Sequence, residues 1–234
     1  MALPKLETPI YELELPSTGE KVKYRPFLVK EQKNLMIAME SEEETQLRDS
    51  LATIISDCTF NKIDPYEVPM FDIEFLFLRI RGKSVGEKVK LNVLCPDDNK
   101  TRVDVKINLE DIDVHMKKEH TNEISVTDKI KIFMKYPGLK DMTDIKVEQE
   151  TEQIFTLIKR CINEIHDGKT IHNKIDISEK ELDEFIDNLT TKTFEDLGTF
   201  FETMPKVMHV LKVKNPKTKK KGEVVIEGIQ NFFV

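Results

Sequence analysis

Two tripeptides, Gly82-Lys83-Ser84 and Gly168-Lys169-Thr170, have the residue types that close a phosphate-binding loop, where backbone N–H groups and a lysine cradle phosphate oxygens. The full pattern needs another glycine five positions earlier and a strand before the loop. Phe77 and Asn163 stand at those positions, in stretches whose periodicity predicts helix, so neither tripeptide reads as a nucleotide site. Cys161, His166 and His172 are metal-ligating types, yet their spacing fits no zinc pattern and no fourth ligand is evident. They read as two surface histidines and a core thiol. Cys95-Pro96-Asp97-Asp98 stands where a zinc knuckle would place Cys-Pro-x-Cys, and without the second cysteine it reads as a metal-free turn. There is no G-x-S-x-G, H-E-x-x-H or dinucleotide signature, and the acidic residues are evenly spread. The expectation is a non-enzymatic protein without cofactor, metal or small-molecule substrate.

The one basic cluster is Lys212, Lys214, Lys217, Lys219, Lys220 and Lys221. Such a tip can touch phosphate, meet an acidic subunit, or keep an exposed hairpin from pairing with other edges. A net charge of −7 and a pI near 5.4 argue against a general nucleic-acid binder, which presents a basic domain. The tail Gln230-Asn231-Phe232-Phe233-Val234 carries two phenylalanines where termini are usually polar, so those rings call for cover from this chain or from a neighbour. Lys217, Lys219, Lys220, Lys221, Phe232 and Phe233 are therefore the expected partner-binding residues.

At 234 residues the chain can bury a core as one large domain or two small ones. No run approaches the roughly 20 apolar residues that span a bilayer, and glutamates interrupt the first fifteen residues where a signal peptide needs an apolar stretch. Three distant cysteines, Cys58, Cys95 and Cys161, fit reduced thiols, and a cytosolic product is expected.

The elements follow from periodicity. Tyr11, Leu13 and Leu15 alternate with glutamates, Pro16-Ser17-Thr18-Gly19 turns the chain, and Val22 and Tyr24 alternate back as a first hairpin. Helical spacing predicts helices from about Lys30 to Met39, from near Glu43, and from Met70 to Arg81, the last so rich in large apolar residues that it reads as the central helix. A second hairpin spans Lys88 to Ile112, with Cys95-Pro96 in its turn. After a polar connection over 116–123, Ile130, Ile132 and Met134 alternate into a turn at Tyr136-Pro137-Gly138. Helices are predicted from about Val147 to Glu164, from a capping box at Ser178 and Glu181 to about Leu189, and from Phe194 to Met204, with a short extended segment over 171–177. The last 26 residues repeat the hairpin design, Asn215-Pro216 answering Cys95-Pro96, and each of these two hairpins follows an aromatic-rich segment. The expected fold is α+β: antiparallel hairpins packed on helices, a repeated helix-plus-hairpin unit and a mostly helical C-terminal half. The expected domains are 1–140 and 141–234.

Over nearly its whole length the chain resembles the baseplate hub subunit family of T-even-like contractile-tail phages. The resemblance rests on Leu3-Pro4-Lys5, Tyr11-Glu12-Leu13, Leu15-Pro16-Ser17, the run from Val22 to Glu31, Ala38-Met39-Glu40-Ser41, the run from Arg81 to Glu87, Cys95-Pro96-Asp97-Asp98 and the run from Glu227 to Phe233. None of these motifs encodes chemistry. The resemblance implies a late phage protein of hub assembly, made in the host cytoplasm, either as a structural subunit of the tail baseplate or as a transient chaperone of a hub or tape-measure protein that leaves. The partners it implies are other hub or tail proteins, with self-association open and no membrane.

Overall fold

The computed structural model describes residues 7–41, 43–143 and 150–228. Among them the chain runs through β1 (Tyr11–Glu14), β2 (Lys21–Tyr24), α1 (Val29–Glu40), α2 (Glu44–Cys58), α3 (Met70–Val85), β3 (Lys88–Leu94), β4 (Arg102–Asn108), β5 (Asp113–His115), β6 (Glu123–Ser125), β7 (Lys131–Met134), α4 (Leu139–Met142), α5 (Glu150–Cys161), β8 (Ile162–His166), β9 (Ile171–Asn173), α6 (Glu179–Asp187), α7 (Thr191–Thr203), β10 (Lys206–Lys214) and β11 (Lys221–Glu227). They form two compact units, the first built from residues up to His115 together with those from Lys206 onward, the second from Met116–Pro205. The division is not the expected one at residue 140. The short strand β5, which has no alternation long enough to read from sequence, pairs antiparallel with β10 and sets Lys206 opposite His115. The second unit is thus an insertion whose two ends meet in one strand pair of the first.

The C-terminal half is not mostly helical: β8, β9, β10 and β11 alternate there with three helices. The helix expected over 147–164 has its described part end at Cys161, and residues 162–166 continue as β8. Ile158, Ile162 and Ile165 fit helical spacing, but Ile162 and Ile165 carry β-branched side chains suited to a strand. Pairing decides between the two, since β8 lies against β7 in the register Lys131 to His166, Ile132 to Ile165 and Phe133 to Glu164.

In the first unit α3 is the hub that the sequence indicates. Ile73, Leu76, Phe77, Leu78 and Ile80 are almost wholly buried. Gly86 ends the helix with a φ of 128°, a conformation that glycine adopts without strain. Arg79 on this helix donates to the carbonyls of Leu109 and Ile112, tying down the chain where it leaves β4. Asp72, in the first turn and fully buried, accepts from the backbone N–H of Ser17 at 3.1 Å and from the Ser17 hydroxyl. A carboxylate at a helix N-terminus suits the dipole, although burial lifts its pKa above the ordinary 3.8 against the lowering by the Ser17 bonds.

The second unit is the sheet β6-β7-β8-β9 covered by helices. Ile132, Ile158, Ile162, Leu197 and Phe200 lie at the centre of its core. The capping box at Ser178 is present: Glu181 N donates to the Ser178 hydroxyl at 3.3 Å, and the Glu181 carboxylate accepts from Ser178 N at 3.0 Å. His120 is held between Thr203 and Tyr136. Its Nδ1 lies 2.9 Å from the Thr203 hydroxyl and its Nε2 3.1 Å from the Tyr136 hydroxyl. The Thr203 hydroxyl spends its proton on the Thr199 carbonyl. It can only accept from His120, which assigns the neutral Nδ1–H tautomer, with Tyr136 donating to Nε2.

Two predictions follow from these anchors. Asp72→Ala removes the buried carboxylate that holds the exposed Ser17 turn and should cost about 2 kcal/mol in urea unfolding, whereas Asp72→Asn, which keeps an acceptor for Ser17 N–H, should cost less than half of that. Burial holds the His120 pKa below its ordinary 6.5. The unfolded chain therefore binds the proton first, and this contribution to stability is full above 6.5 and lost as pH falls through the lower folded value. Thermal melts at pH 7.5 and 5.5 should differ more for the wild type than for His120→Gln, and equal differences would refute the assignment.

Candidate assembly interface

The three hairpins of the first unit share one turn. In Leu15-Pro16-Ser17-Thr18-Gly19, Cys95-Pro96-Asp97-Asp98-Asn99 and Asn215-Pro216-Lys217-Thr218-Lys219, the first residue is buried and the second is a proline that presets φ. The fifth is left-handed, with φ of 71°, 51° and 63°. In each, the fifth N–H donates to the first carbonyl, at 2.8 Å in the β1–β2 turn, 3.0 Å in β3–β4 and 2.9 Å in β10–β11. The likeness of the last two was visible in sequence. Membership of Leu15-Pro16 was missed, although proline followed three residues later by glycine or asparagine was a usable signal.

Two of these turns hold each other. The Asn215 side chain, fully buried, donates from Nδ2 to Asp97 Oδ1 at 2.9 Å and to Asp98 Oδ2 at 3.0 Å, while its Oδ1 accepts from Lys217 N at 2.8 Å and Thr218 N at 3.2 Å. Thr218 adds a hydroxyl bond to Asp97. All four bonding capacities of the amide are met, and the donor and acceptor ends admit no flip. The hydroxyl of Thr218, followed by the Asn215 amide, holds the Asp97 carboxyl below the usual range, and the backbone N–H and hydroxyl of Thr101 do the same for Asp98. Gly222 seats the contact, because a Cβ there would fall 2.5 Å from Pro96 Cγ. Asp97, Asp98, Asn215, Thr218 and Gly222 went unrecognised as a constellation, since 117 or more residues separate the partners across the two turns.

The expected partner-binding lysines, Lys217, Lys219, Lys220 and Lys221, are all exposed on this β10–β11 tip. Phe232 and Phe233 lie outside the described residues. Other residues singled out in sequence are separated. Gly82 lies inside α3, Lys83 pairs with Glu87 at 2.6 Å and Glu110 at 2.5 Å, and the Ser84 hydroxyl accepts from Phe27 N. In Gly168-Lys169-Thr170, the N–H groups that would cradle a phosphate donate instead to Asp167, at 2.9 Å from Lys169 and 2.8 Å from Thr170. Ile165 is the strand partner of His172, so His166, its neighbour on β8, points to the opposite sheet face. Burial pushes the Cys58 and Cys161 thiols up to about 12, which leaves them unreactive at neutral pH. Among the described residues no group of three or more His, Cys, Asp or Glu is placed to hold a metal ion.

Helix α1 is turned against its composition. Glu31 faces inward, bonded to Arg25 at 3.0 Å and to Leu28 N at 2.6 Å, while Val29, Met36, Ile37 and Met39 face outward. Val29 is 80% exposed, and on β10 and β11 the cross-strand pair Val210 and Val225 is exposed at 43% and 53%. Outward apolar faces of this kind, with sheet edges that carry no further strand among the described residues, are surfaces for neighbours.

The family model described as T4 bacteriophage base plate protein matches residues 8–234. The chain belongs to that family. No curated protein and no solved structure matches it. Membership of a baseplate family implies interaction with other baseplate or tail proteins. No helix among the described residues of this baseplate protein is long and apolar enough to cross a membrane.

Asn215→Ala should lower stability by about 2 kcal/mol through loss of a buried amide that makes four hydrogen bonds. Asn215→Asp should be worse at neutral pH, because it sets a third carboxylate against Asp97 and Asp98, and should recover part of the loss in acid, as read by unfolding at pH 7.5 and pH 5.

Proposed function

We propose that this baseplate protein is a structural, non-catalytic subunit of the hub, joined to neighbouring tail proteins through its hairpin tip and its C-terminal residues. Lys217, Lys219, Lys220 and Lys221 would meet acidic subunit surface, and Phe232 and Phe233 would bury in a neighbour. The observation that carries the reading is the family match over residues 8–234. The exposed lysine tip, the outward face of α1 and the open sheet edges support it. Charge on the tip favours a carboxylate-bearing protein, and the resemblance to hub subunits favours a place in the hub rather than elsewhere in the baseplate. The family match fits a transient chaperone equally, but no surface described here favours departure over residence.

The deciding measurement is quantitative mass spectrometry of assembly intermediates and finished tails. A stoichiometric amount in finished tails is expected, and presence in intermediates alone would replace the subunit with a departing helper. Deletion of residues 230–234 should abolish incorporation while leaving the melting temperature within a few degrees of wild type. A truncated chain that still enters finished tails would remove the C-terminal residues from the interface.

A further inference from the structure

Charge is unevenly divided between the two units. Residues 116–205 carry nineteen Asp and Glu against thirteen Lys and Arg, so nearly all of the net −7 lies there. The other unit is close to neutral and gathers four exposed cations at one hairpin tip. Lys217, Lys220 and Lys221 form no ion pair with a described residue there, and Lys219 reaches only the Pro216 carbonyl, at 2.7 Å.

In the second unit a cleft of about 290 Å³ opens between α6 and the β8–β9 hairpin. Its apolar floor is formed by Ile130, Ile165, Ile177, Leu182 and Phe185, and Asp167, Asp176 and Glu181 stand at its rim with His172. Two of the rim carboxylates are engaged locally, Asp167 by its turn and by His172, Glu181 by Ser178. Asp176 makes no side-chain bond to a described residue. Its neighbour in sequence, Ile175, is 92% exposed. An apolar slot with an acidic rim suits a lysine: the four-carbon stem lies along the floor and the ammonium reaches a carboxylate. The chain itself displays such lysines, in a narrow turn whose tip is held rigid by the Asn215 clasp.

We propose that the lysine tip of the β10–β11 hairpin of one copy docks into the acidic-rimmed cleft of the second unit of another copy. This rests on the tip being a partner-binding surface and names the partner as a second copy of the chain. The two patches differ, so the contact is heterologous and propagates head to tail into a ring or a filament. Complementary charge favours encounter and register, and salt weakens it.

The test is sedimentation of the full chain from micromolar to near-millimolar concentration, at low and high salt. Self-association that salt reverses is expected. Replacing Lys217, Lys219, Lys220 and Lys221 by Glu should weaken it about tenfold or more, as should Asp176→Lys alone. Asp176→Asn, which removes one rim charge without reversing it, should weaken association less than Asp176→Lys, and each variant should keep its melting temperature within a few degrees of wild type, which a folding defect would not allow. A wild-type chain that stays monomeric throughout, or one whose association ignores Asp176→Lys, overturns the docking. If incorporation into tails still depended on the lysines in that case, the role as a hub subunit would stand without self-docking.

Discussion

A hairpin turn is polar, and burying one is favourable only when every donor and acceptor it carries into the interior finds a partner. The buried amide of Asn215 supplies most of this for two turns, since it bonds two backbone N–H groups of its own loop and two carboxylates of the other, and the Thr218 hydroxyl adds a bond to Asp97. Remove it and Asp97 and Asp98 lose a shared donor while the β10–β11 loop loses its internal tie. The packing of β3–β4 near β10–β11, the need for glycine opposite Pro96, and the stiffness of the lysine tip all depend on this one side chain. In paired zinc knuckles a metal ion joins two such turns; here hydrogen bonds join them.

The same logic explains α1. Its N-terminal turn needs a carboxylate for Leu28 N–H, and Arg25 needs a counter-charge, so Glu31 is drawn inward. Once that face is polar, the apolar side chains at the opposite positions are left outside. A soluble monomer has little use for exposed Val29, Met36, Ile37 and Met39, whereas a subunit of a baseplate has neighbours to cover them.

Hairpins and most helices were legible because their patterns are local. Alternation marks β1, β2, β3 and β4, the Ser178 capping box marks α6, and the apolar density of 70–81 marks α3. The strand β8 was hidden because Ile158, Ile162 and Ile165 suit a helix as well as a strand, and only its partner β7 breaks the tie. The three-residue β5 is too short to show a period, and without it the pairing of residues 113–115 with β10 cannot be seen. Site residues divide in the same way. Lysines on a turn can be read off a sequence, but a clasp between residues 97 and 215 is a contact of high sequence separation that no window contains.

Because β5 and β10 lie side by side, the chain completes one body only after finishing another. During synthesis residues 116–205 emerge with every one of their sheet partners already at hand, while residues 7–115 wait for β10 and β11 to arrive. Until then β5 lacks its ladder, the turn at Pro96 lacks its amide, and the inward sides of β3 and β4 stay wet. Prematurely terminated chains would thus hold a finished insert on an open scaffold, and the lysine tip comes into being at the same moment as the scaffold it closes.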